Sequence, residues 1–110
     1  MKNATNCMLR WLLLAALLGP PAAFVRADEA GKGRELAHRM CAACHMQPGQ
    51  GEKRGPDGLP GFAAIANRPD QSQEAIVRWL RSRPAMMPDH HLTWDEADAL
   101  ADYIMSLRKP

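Results

Sequence analysis

The most specific chemistry in this chain lies in one short run, Cys41-Ala42-Ala43-Cys44-His45. Two thiols separated by two residues can ligate a metal, form a redox pair, close a disulfide or bond covalently to a cofactor. Each use needs different company. A structural zinc site requires a further Cys or His pair at short spacing, and none follows in that form. A thioredoxin-like pair belongs in a strand-helix setting, whereas the residues before Cys41 read as helix. A plain disulfide leaves His45 without a purpose. The histidine directly after the second cysteine is instead the mark of c-type haem attachment, with Cys41 and Cys44 as the covalent anchors and His45 as the proximal iron ligand.

The second place where chemistry can sit is Arg83-Pro84-Ala85-Met86-Met87-Pro88-Asp89-His90-His91-Leu92. An iron bound by His45 has one more axial position. A thioether sulfur there is a soft, neutral ligand that favours the ferrous state and suits electron transfer. Met87 is the candidate, because Pro88 restricts its backbone to extended geometry. Met86 is the neighbouring alternative, and His90 or His91 would supply an imidazole instead. A distal position left open, or filled by histidine, would make the haem a sensor or a peroxidase-like centre. A dedicated haem subunit of a dehydrogenase is a further alternative.

Elements that could position these groups read as helices and loops without strand alternation. Leu36, Ala37 and Met40 recur at helical spacing, so a first helix runs from near Glu29 into the cysteine motif. From Met46 to Gly61 the chain is dense in glycine and proline and reads as an ordered loop. Phe62 and Ile65 then return to the core in a short helix. Ser72 caps a helix whose Ile76, Val77 and Leu80 share a face and which Pro84 stops. The last helix opens on the capping box Thr93-Trp94-Asp95-Glu96, carries Ala97, Leu100, Ala101, Ile104 and Leu107 as its apolar stripe, and ends near Arg108-Lys109, which suit the negative end of its dipole. Methionines 40, 46, 86 and 105 read as packing, and His38 as a surface residue.

The start of the 110-residue chain has another character. Lys2 and Arg10 precede the apolar run Trp11–Leu18, Gly19-Pro20-Pro21 closes it, and Val25-Arg26-Ala27 offers a small-x-Ala cleavage site. Residues 1–27 read as a secretory signal peptide and 28–110 as a single domain, exported to the periplasm. The apolar run is too short for a stable membrane span. The leader holds three basic residues, Lys2, Arg10 and Arg26, and no acidic one, so its removal turns the formal charge from +2 to −1. No basic stretch with interleaved aromatics points to nucleic acid. A domain this small needs a staple beyond its apolar core, and a covalent cofactor is one.

Taken together, the first helix, Cys41-Ala42-Ala43-Cys44-His45, the Gly/Pro-rich loop, Pro60-Gly61-Phe62, Met87-Pro88, Leu92-Thr93 and the last helix with Tyr103-Ile104-Met105-Ser106-Leu107 resemble the class I c-type cytochromes. The resemblance covers residues 28–110. It implies an all-α fold of three to four helices with loops around one covalently bound haem c. It also implies a monomeric electron carrier, not an enzyme, that shuttles single electrons between other redox proteins. By the same resemblance Met87 is the distal ligand, Gly33 and Tyr103 mark the crossing of first and last helices, and Pro60 packs beside the proximal histidine. Trp79 and the arginines 68, 78, 81 and 83 are candidates to meet haem propionates, and the arginines to face an acidic partner. The chain departs from the family pattern at Ala37, where many relatives carry an aromatic residue, and at Met46, where glycine is common.

Overall fold

In the computed structural model, residues 22–50 and 58–110 are described, with side chains from Ala27 onward. The predicted leader up to Pro21 and the middle of the Gly/Pro-rich loop lie outside the described residues.

Five helical segments follow in order: α1 (Ala22–Met40), α2 (Ala42–His45), α3 (Phe62–Ala66), α4 (Gln73–Arg81) and α5 (Trp94–Ser106). There is no strand among the described residues, in keeping with the all-α expectation. The count exceeds three to four because the cysteine motif itself winds into a single turn, with His45 N–H donating to the Cys41 carbonyl at 2.9 Å. α1 starts at Ala22 rather than near Glu29, since no proline interrupts residues 22–40. No helix among the described residues is long and apolar enough to cross a membrane.

The helix ends follow the predicted capping chemistry. At α4 the Ser72 hydroxyl accepts from Ala75 N–H at 3.2 Å. At α5 the Thr93 hydroxyl accepts from Glu96 N–H at 3.2 Å while the Glu96 carboxylate accepts from Thr93 N–H at 2.9 Å. Both arms of the capping box are therefore made. Beyond α5, Arg108 donates to the Gln71 carbonyl at 3.0 Å, fastening the C-terminal end onto the segment between α3 and α4.

Packing centres on α5, which lies against α1, α3 and α4, most extensively against α1. Ala97, Leu100, Ala101 and Ile104 are buried as the stripe requires, together with Leu36 and Ala37 of α1, Phe62 and Ala66 of α3, and Ile76 and Val77 of α4. The α1–α5 crossing falls at Gly33. A Cβ at that position would overlap the backbone carbonyl of Ala99 and come within 2.9 Å of the Tyr103 Cβ. Only glycine allows backbones this close. Ala37, in place of the common aromatic, is fully buried one turn further along.

α4 ends with a reversal. Arg83 stands just before Pro84, whose ring disfavours right-handed helical geometry for it, and adopts φ +52°. His91 has φ +53°. The segment carrying Met87 is thus bracketed by two non-glycine residues in left-handed conformation, which costs roughly 1 kcal/mol each.

Candidate functional site: an apolar cleft with one imidazole and one thioether

The single turn α2 places Cys41 and Cys44 at i and i+3, hence on one face, with His45 directly after. Both thiols are free, Cys41 half-buried and Cys44 exposed. Burial, reinforced by the neighbouring Cys44, pushes the Cys41 thiol up from its ordinary range. A redox-active or metal-binding cysteine needs the opposite, a stabilised thiolate. No cluster of three or more His, Cys, Asp or Glu able to hold a metal ion occurs among the described residues.

His45 is held on two sides. Its Nδ1 lies 2.8 Å from the Pro60 carbonyl oxygen. A carbonyl only accepts, so Nδ1 carries the proton and Nε2 is left with its lone pair. The imidazole also stacks on Phe62, ring centroids 5.4 Å apart and planes 13° from parallel, and Phe62 meets Tyr103 edge-on at 6.1 Å. Pro60 thus stands beside the histidine as the resemblance implied, and Tyr103 links the ring stack to the α1–α5 crossing.

His45 and Cys41 line one wall of a cleft of about 440 Å³. Leu59 and Pro60 adjoin them. Ile65 of α3, Ile76 and Leu80 of α4, and Leu100 and Ile104 of α5 supply most of the rest, and Met86 and Met87 close it. The volume is within the range of cofactor sites, and the walls are largely apolar with a few polar groups, Arg68 and Gln71 among them. Cys44 does not line the cleft and stands exposed one turn from Cys41. The lining fits a flat, largely apolar macrocycle held at one edge: the Cys41 thiol, an imidazole with a free nitrogen, apolar walls and a thioether, with the Cys44 thiol just outside on the same turn.

The distal candidates separate by position. Met87 is half-buried and lines the cleft, whereas His90 and His91 do not line it. His91 faces a small polar recess with Arg81, Arg83 and Asp89. Asp89 accepts from the His91 backbone N–H at 2.9 Å and pairs with Arg83 at 3.1 Å. Those contacts, the His91 N–H first, hold its carboxyl below the usual range. Met86 is not core filler, being 90% exposed at the mouth of the cleft.

The four arginines close in sequence do not form one surface. Arg68 lines the cleft. Arg81 lies over the Trp94 ring at 4.3 Å and donates to the Leu92 carbonyl. Arg83 pairs with Asp89, and Arg78 lines a separate groove with Trp94 and Asp98. The helical turn of α4 carries Arg78 and Arg81 round toward α5, away from the cleft. Trp79 lines the cleft and is 60% exposed, so it stands at the rim.

Two residues that mattered were missed. The carbonyls ending α2 need partners, as at any helix C-terminus. Gln47 donates its side-chain amide to the Ala43 carbonyl, and Gln50 donates to the Cys44 carbonyl at 2.7 Å. Two glutamines shortly after a motif that must be a tight turn were the available signal.

With this geometry in place, similarity to known proteins becomes informative. Residues 28–104 match the family model described as cytochrome C oxidase, cbb3-type, subunit III. The chain is also 36% identical over 100 residues to a cytochrome c-552 of Bradyrhizobium diazoefficiens, an alignment spanning 91% of this chain and 95% of that protein. No solved structure matches.

Proposed function

The chain belongs to the c-type cytochrome family, carries covalently bound haem c and works in electron transfer rather than as an enzyme, and we propose that it is a periplasmic carrier with one haem bonded to Cys41 and Cys44 and ligated by His45 and Met87. The observation that carries this reading is the shared cleft: His45, with Nδ1 engaged and Nε2 free, and Met87 line the same apolar space, and His90 and His91 do not. Bound there, haem supplies a reversible one-electron couple.

The chain's own residues set how that couple behaves. The Pro60 carbonyl fixes the tautomer and orientation of His45 and makes the imidazole a better donor. Met87 offers a soft neutral sulfur that favours the reduced state, and its backbone N–H donates to the Pro84 carbonyl at 3.0 Å, closing the turn that carries it. Isoleucines 65, 76 and 104 and leucines 80 and 100 keep water from the centre. Electrons pass to and from other redox proteins, and the protein acts as a monomer. Export follows from the leader at residues 1–27, a reading that the start of the family match at residue 28 supports. Cleavage after Ala27 would shorten α1 at its start and leave the Gly33 crossing intact.

The test is the visible spectrum of the purified haem protein in both oxidation states beside Met87→Ala. A weak far-red band of the ferric form, lost in the variant while the haem stays attached, is the expected result. Its persistence in Met87→Ala would remove Met87 from the iron. Intact mass, with one haem added to a chain beginning at Asp28, checks the stoichiometry and the leader together.

A further inference from the structure

We propose that Gln50 is a positioning residue for the proximal histidine, locking the Cys41–His45 turn to the Leu59-Pro60 segment and so holding the Pro60 carbonyl at His45. The inference rests on His45 being an axial ligand, as proposed above.

Gln50 is the buried polar residue among those described, only 3% exposed. Its amide orientation is settled by its partners. Gln47 N–H is a donor, so the group facing it at 2.7 Å is Oε1. The nitrogen then faces two carbonyls, Cys44 at 2.7 Å and Leu59 at 3.4 Å, one for each N–H. A buried amide with its capacity used is expensive to replace, because every partner left behind is a polar group without water.

The two carbonyls belong to the two pieces of chain that must meet at the imidazole. Cys44 precedes His45, and its carbonyl lies at the end of α2 where no helical partner exists. Leu59 precedes Pro60, whose ring nitrogen has no hydrogen, so the Leu59–Pro60 peptide can be fastened only through its carbonyl. Gln50 contributes to that fastening through a long contact of 3.4 Å, beside a backbone bridge at Pro60, and the next carbonyl along, that of Pro60, is the one that accepts from His45. Phe62 stacks on the ring and limits its tilt, but does not hold the Pro60 oxygen in place.

The experiment uses the haem-loaded protein with Gln50→Leu and Gln50→Glu. Leucine removes all three side-chain bonds at similar volume. Glutamate is isosteric, keeps the acceptor for Gln47 N–H and turns a carboxylate on two carbonyls, so it serves if the leucine variant does not fold. Gln47→Ala is the comparison, since it removes the cap on Ala43 but leaves the Gln47 N–H and the Leu59 link untouched. The readouts are solvent exchange of the His45 Nδ1 proton, followed by NMR, and the midpoint potential. Both Gln50 variants should exchange that proton at least tenfold faster and shift the potential upward, because the imidazole becomes a weaker donor. Gln47→Ala should lower stability and change neither. Wild-type exchange and potential in the folded Gln50 variants, or equal changes in Gln47→Ala, would overturn the proposal. A wild-type spectrum in which His45 shows no haem-shifted proton would overturn the ligand assignment instead, a different failure with its own signature.

Discussion

Gly33→Ala sets two effects of opposite sign against each other, and the structure decides between them. Within a helix, alanine is favoured over glycine by about 1 kcal/mol. At Gly33 the added carbon overlaps the Ala99 carbonyl and crowds the Tyr103 Cβ. The obstacle is backbone and cannot rotate aside, so α1 and α5 must separate by roughly 1.5 Å to restore ordinary van der Waals contact. Overpacking of a tight interface costs about 1–3 kcal/mol, and this is the most extensive helix contact in the fold, so the upper half of that range applies. The net expectation is a loss of about 1–2 kcal/mol, or roughly 5–15 °C in Tm for a domain of this size. Gly31 is the internal control. It lies on the same helix with nothing within 4 Å of a built Cβ, so Gly31→Ala should show no loss and a gain below about 1 kcal/mol, since cleavage after Ala27 leaves it in the first turn of α1. Chemical denaturation of both variants, with haem attached, measures the difference. If Gly33→Ala matches Gly31→Ala in stability, the close crossing is refuted, and with it the argument that glycine is required there.

Other substitutions probe the site and its supports. Leu100→Ala, at a fully buried position that also lines the cleft, should cost about 2–5 kcal/mol and loosen haem packing, read as lower denaturation midpoint and altered Soret circular dichroism. His90→Ala and His91→Ala should leave the ferric spectrum unchanged, and loss of the far-red band in either would return histidine to the distal position. Thr93→Ala removes the α5 cap and should cost about 1 kcal/mol in the same denaturation assay. Glu96 has its carboxyl held below the ordinary range, first by the Thr93 N–H and then by the Thr93 hydroxyl. A depressed folded value means that its contribution is fully present above the unfolded pKa and is lost as pH falls through the folded one. Glu96→Gln should therefore flatten the acid limb of the stability profile, and an unchanged slope below the usual carboxylate range would contradict it.

What could be read from the sequence was whatever periodicity or a short motif encodes. α4 and α5 announce themselves through apolar spacing and caps, and the cysteine motif through its histidine. The crossing at Gly33 and the place of Pro60 came through the family pattern rather than through local signals. Features that depend on a side chain reaching across a turn were not legible: the Gln47 and Gln50 caps, Arg81 lying over Trp94, and Arg108 fastened to Gln71. None leaves a repeat in the sequence, and each exists only once the elements are in place. The arginine group misled for the same reason, since nearness along α4 says little about which face each residue ends on. The early start of α1 is hidden in the sequence because Ala22, Ala23, Arg26 and Ala27, good helix formers, also make up the end of a leader and its small-x-Ala site.

The α1–α5 crossing also bears on the order in which the fold is completed. The anchoring turn is local: Cys41, Cys44, His45, Gln50 and Pro60 lie within one short stretch of chain and need no distant partner to come together. The wall formed by Leu100 and Ile104 belongs to the last helix, which pairs with the first across nearly the whole described chain. Closing so large a loop is entropically the costliest step. The thiols are therefore within reach while the opposite wall is still absent, and docking of the final helix then closes over whatever they hold.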